Sequence, residues 1–236
     1  MTATQNILAL IREVAILFPV FLCLFTFRGF FLAFVADFFG DTTARDEGCL
    51  TLNPFMHVNI MNLAILMCIV YSISGVFGEV FPRTFVFLLL STSGAHWIVQ
   101  NSVSDASFRR PRLHGILYGL AASVGWFCIG FFGFLLIKII NFSVLPHYAF
   151  LSIVEWLRCL AETAIFLGAM HLIPLPPMHA ARILYHFTSQ PRHDFIDKMY
   201  EYETLVFLGA YLFLGVGFLV AIIHVSVKAL FMTLLV

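Results

Sequence analysis

The chain has 236 residues, 61% of them hydrophobic and only 11% charged. A soluble domain carries about 25% charged residues, so the composition excludes an ordinary water-soluble enzyme and predicts a polytopic α-helical membrane protein. Thirteen Lys and Arg balance thirteen Asp and Glu for a formal charge of zero, which leaves no electrostatic footprint for nucleic acid.

In chain order, residues 1–12 form a short polar lead expected at the membrane interface. A first span is predicted from Val14 to Phe39, with Arg28 and Asp37 inside it. Only Arg12 precedes this run and no small-residue cleavage site follows, so the run is expected to be retained. Residues 40–56 are polar, hold two Gly and Pro54, and predict a turn and a short extended piece. A second span is expected from His57 to Phe77, a tight turn at Pro82, and a short third span from Phe85 to Val99. A polar loop ends in Phe108-Arg109-Arg110-Pro111-Arg112. The fourth span, His114 to Ile140, is rich in Gly and Ala, which suits close helix packing. The fifth runs from Ala149 to His171, residues 180–203 are polar to amphipathic, and a sixth begins near Thr204.

The expectation is therefore about six transmembrane helices in one membrane domain covering residues 1–236. Arg45, Arg109, Arg110, Arg112, Arg182, Arg192 and Lys198 fall on one predicted side, and Arg12, Arg83 and Lys138 on the other. Basic loops stay inside, so the first set faces the cytoplasm, or the matrix of a mitochondrion. The five cysteines, Cys23, Cys49, Cys68, Cys128 and Cys159, show no metal or redox spacing and are read as unpaired thiols.

The stretch His171-Leu172-Ile173-Pro174-Leu175-Pro176-Pro177-Met178-His179-Ala180-Ala181-Arg182 carries the strongest local signal. Proline lacks an N–H and fixes φ, so the fifth helix must break here. Backbone broken at membrane depth is tolerated only against protein or a watery cavity.

This stretch resembles the Asn-x-x-Pro-x-Pro-Pro-Leu-Asp-Gly motif of site-2 proteases, which are intramembrane zinc metallopeptidases. Gly40-Asp41-Thr42-Thr43-Ala44, Gly48-Cys49-Leu50-Thr51-Leu52-Asn53-Pro54 and His57-Val58-Asn59 resemble further segments of the small bacterial members. So do Phe108-Arg109-Arg110-Pro111-Arg112, Ala121-Ala122-Ser123, Pro191-Arg192 and Tyr200-Glu201-Tyr202-Glu203, in family order. The resemblance implies a site-2-protease-like helical bundle.

It also locates what is missing. The family's His-Glu-x-x-His begins twelve residues before the Gly-Asp, which here lands on Arg28-Gly29-Phe30-Phe31-Leu32. Two His at i and i+4 hold Zn²⁺, and the Glu between them is the general base. Arg28 replaces the first ligand, Gly29 the base and Leu32 the second ligand. His179 stands at the metal-binding Asp and His171 at the Asn. A guanidinium is always charged and cannot ligate a cation, so no catalytic residue and no cofactor are expected.

The alternatives stay in view. His57, His96, His171 and His179 are the candidates for a rearranged zinc site in a true enzyme. Arg28 in mid-span needs a partner, and Glu155, Arg158 and Glu162 share a helical face, so these four are expected to form a structural ion-pair network. Arg109, Arg110 and Arg112 are a topology signal with a possible second role at lipid headgroups. The function expected is that of an accessory subunit among other membrane proteins, in a bacterial or mitochondrial inner membrane, for example in a respiratory or ATP-synthase assembly. A client-binding pseudoprotease is the main alternative.

Overall fold

A chain surrounded by lipid must satisfy its backbone internally, and its long apolar runs do so as helices. The computed structural model describes residues 3–64, 107–140, 147–176, 178–187, 190–202, 205–206, 209–210 and 213–235. Eight helices lie among them: α1 (Ala3–Phe39), α2 (Thr43–Asp46), α3 (Pro54–His57), α4 (Pro111–Ile139), α5 (His147–His171), α6 (Ala181–Phe187), α7 (Gln190–Glu201) and α8 (Val216–Leu235).

Three of these are long and apolar enough to cross a membrane: Val14–Phe39 within α1, Pro111–Ile139 and Val216–Leu234. They place the chain in a lipid bilayer. They also correct the expectation of about six spans. Two expected spans, His57–Phe77 and Phe85–Val99, fall largely on residues 65–106, outside the described residues. α5 has the length but carries Glu155, Arg158 and Glu162 within about two turns, too many charges for an apolar span. The last helix begins at Val216 rather than near Thr204, after Gly215 turns the chain with φ +70°.

After the first span, residues 43–46 form α2 and 54–57 form α3, with non-helical backbone between them that is extended at Asn53. α1 stops at Gly40, whose φ of +109° is a left-handed conformation natural to glycine. Asp41, 1% exposed, then accepts the Thr43 N–H at 3.0 Å and the Thr43 hydroxyl at 2.5 Å. Asn53 caps α3 by accepting the Phe55 N–H at 3.1 Å. Replacing Asp41 with Ala removes both bonds of its turn. We expect a loss of about 1–2 kcal/mol, read as a lower unfolding midpoint in mild detergent.

The core is the α4–α5 pair, the most extensive helix contact among the described residues. Small residues let the two backbones approach, as membrane helices require. A Cβ on Gly133 would stand 2.9 Å from the Ala161 Cβ, and one on Gly130 would stand 2.7 Å from Ile165 Cγ1. α1 packs across this pair. Its Phe25 meets Trp126 edge-on with ring centroids 6.4 Å apart, and Phe21, Leu24, Trp126, Leu167 and Met170 are all buried in one cluster. Cys23, Cys49, Cys128 and Cys159 are free thiols, while Cys68 lies outside the described residues.

Candidate functional site

The residues singled out by sequence come from four elements: α1, α3, the end of α5 and the turns that follow it. Helix α5 ends at His171 because Pro174 and Pro176 cannot extend it. The chain then makes successive tight turns, with Met178 N–H donating to the Leu175 carbonyl at 2.8 Å and Ala181 N–H to the Met178 carbonyl at 3.0 Å. Ile173, Pro176 and Met178 are buried and Pro174 is exposed. These turns lay His179 against α1 and α4.

There Arg28 and His179 meet. Arg28 is 8% exposed, and its Nη2 lies 3.3 Å from His179 Nδ1. The guanidinium can only donate, so an imidazole nitrogen facing it acts as acceptor. The His179 ring stands 5.7 Å from the His171 ring and 6.2 Å from the Tyr118 ring, centroid to centroid. His171 is buried beside Trp126, with ring centroids 6.0 Å apart, and its Nδ1–H donates to the Leu167 carbonyl at 2.8 Å. In the neutral ring, that bond leaves Nε2 as the lone-pair nitrogen.

Gly29 faces a different histidine. His57 is completely buried, and its Nε2–H donates to the Thr51 carbonyl at 2.6 Å. That bond fixes the ring flat against α1. A Cβ on Gly29 would meet His57 Nδ1 and Cγ, the latter at 2.7 Å, well inside an ordinary contact of about 3.5–4.0 Å. So position 29 holds no side chain because His57 fills the space one would need. Leu32, fully buried, packs with Ala36, Phe108, Tyr118 and Ala122. It is part of the apolar core between α1 and α4.

Arg28 and His179, some 150 residues apart in the chain, therefore meet, and Leu32 packs one turn along α1 with Tyr118, whose ring stands near His179. Their chemistry is a guanidinium, an isobutyl group and one imidazole. Among the described residues no group of three or more His, Cys, Asp or Glu is placed to hold a metal ion. His171 and His179 are neighbours, His57 is turned to Thr51, and His96 lies outside the described residues.

On α5, Glu162 Oε1 accepts from Arg158 Nε at 3.0 Å and from Lys228 Nζ at 2.7 Å. Arg28 lies against His179, and Lys228 of α8 is a partner that sequence reasoning missed. A lone cation in the last apolar run was the available signal, since such a charge requires a counter-charge. Arg109, Arg110 and Arg112 are all exposed at the start of α4. The Arg109 N–H donates to the Phe39 carbonyl at 3.0 Å, which ties this basic turn to the end of α1.

No family model matches the chain, and no solved structure matches it. One curated protein is similar: "Putative zinc metalloprotease YwhC" of Bacillus subtilis (strain 168), 26% identical over 186 residues. The match covers 78% of this chain and 74% of the other. The chain is a distant relative of a protein named for zinc proteolysis. Identity at this level leaves the chemistry to be argued from the side chains present.

Proposed function

We propose that this chain is a site-2-protease-like membrane protein, a single domain over residues 1–236, that has given up zinc proteolysis and acts by binding, as an accessory subunit of a larger inner-membrane assembly. The Arg28–His179 contact carries the reading. The family resemblance puts two metal ligands at these positions, and here they hold a fixed positive charge against one imidazole. A guanidinium cannot be deprotonated to make room for a dication, and two positive charges at such a distance repel strongly where water is scarce. Gly29 offers no general base, and without a metal-activated water or a base no nucleophile is prepared for peptide hydrolysis.

Zinc content tests this directly. The protein, purified in mild detergent and stripped of loosely held metal, should contain far less than about one zinc per chain. About one zinc per chain, lost in His179→Ala, would restore the enzyme reading with a new ligand set. Co-migration of the full chain with one large, stable membrane complex supports the accessory role.

A second reading has its own observation. A cavity of about 440 Å³ opens between α1, α4 and α5, lined by Phe27, Phe30, Phe132, Leu136, Trp156 and their apolar neighbours. An apolar opening of this kind suits a hydrophobic client held without cleavage. Transient cross-linking to many membrane proteins, in place of one stable complex, would favour it.

A further inference from the structure

A second cavity lies on the other side of the α4–α5 pair, where α8 joins it. Its volume is about 410 Å³, and it is bounded by Lys138 of α4, Arg158 and Glu162 of α5 and Lys228 of α8, with Phe134 and Met232 among its apolar walls. Three cations therefore face one carboxylate.

The hydrogen bonds show how that carboxylate is used. Arg158 and Lys228 both donate to the same oxygen, Glu162 Oε1. Arg158 spends only its Nε there. A guanidinium has five donors in a rigid fork, and its Nη groups have no partner among the described residues. Lys138 stands exposed in the last turn of α4, with no ion pair among the described residues. The cavity thus carries an excess of two positive charges over Glu162. Positive charges within or beside a bilayer are stable when they reach the interface or meet an anion.

We infer that this cavity binds the phosphate of an anionic phospholipid, with Arg158 and Lys138 as its principal donors and Lys228 held in reserve by Glu162. Planar guanidinium forks match phosphate oxygens. Lys138 lies in the last turn of α4, and Lys228 lies about two turns before the end of α8, on two of the three helices suited to crossing the bilayer. The remaining wall is hydrocarbon, so it suits an acyl chain rather than a free ion. Basic pockets between membrane helices bind acidic headgroups on this principle. The site is separate from the Arg28–His179 contact and does not depend on the protein's being inactive.

The test uses the full chain in neutral detergent and native mass spectrometry, titrated with dioleoyl phosphatidylglycerol, dioleoyl phosphatidylcholine or inorganic phosphate. Phosphatidylglycerol should bind, phosphatidylcholine should bind much more weakly, and phosphate alone should not substitute. At about fivefold per charge, Lys138→Gln should weaken phosphatidylglycerol about fivefold and the Lys138→Gln/Arg158→Gln pair about thirtyfold. Lys138 has no ion pair among the described residues to lose, so its variant should fold. Lys198→Gln, at an exposed position of α7 outside the cavity, should leave binding unchanged. Equal affinity for both lipids, or unaltered phosphatidylglycerol binding in the double variant, would overturn the inference. So would loss in Lys198→Gln alone, which would move the site, and so would full occupancy by inorganic phosphate, which would remove the lipid.

Discussion

Gly29→Ala should destabilise the protein by about 2–3 kcal/mol, although alanine is the better helix former by close to 1 kcal/mol. The added methyl has nowhere to go. It meets the ring of His57, which is completely buried and held by its bond to the Thr51 carbonyl. The ring cannot retreat without breaking that bond or shifting α3. The measurement is the thermal or denaturant unfolding midpoint in mild detergent, taken as a double-mutant cycle with His57→Ala. In the His57→Ala background the penalty should fall below about 1 kcal/mol, because the obstacle is gone. Equal penalties in both backgrounds would show that His57 is not what excludes a side chain. The same geometry bears on function: glutamate at position 29 needs the same Cβ, so reinstating the family's base is blocked before any question of metal arises.

Gly133→Leu should be at least as damaging, with a loss above about 3 kcal/mol. Even a Cβ at this position stands 2.9 Å from Ala161, so a whole leucine has to push α4 off α5. Membrane helices are held by close van der Waals packing rather than by escape from water, which makes separation of the main helix pair especially costly. The full chain should unfold at a lower midpoint or leave the detergent as an aggregate. Phe132→Leu, one residue earlier at an exposed position, should stay within about 0.5 kcal/mol of the parent. A parent-like Gly133→Leu would mean that α4 and α5 do not approach as described.

The two results mark what a reader of the sequence could and could not see. The break after His171 was legible because proline chemistry is local: Pro174 and Pro176 act on their own backbone. Aligning short segments with a known family singled out Arg28 and His179, which lie in contact. The number of spans was not legible. Apolar length counted α5 as a span even though Glu155, Arg158 and Glu162 lie within about two turns of it. In the sequence Gly29 reads as a missing base; its second role, making room for His57, depends on a fold contact that no spacing rule encodes. Lys228 is invisible for the same reason, since its partner sits on another helix.

α8 adds a consequence about biogenesis. Only 6% of its apolar window is buried in the protein. Among the described residues its contacts include Lys228 on Glu162, Val220 in the core cluster, and Phe231 on Phe131, 5.4 Å apart. Inserting a lysine into hydrocarbon alone carries a penalty of roughly 2.5–3.5 kcal/mol. α5 is synthesised first, so the carboxylate is already in place when Lys228 arrives. The early helices thus act as a template for the last one, and Glu162 sets the point at which the chain's entry into the membrane becomes favourable to its end.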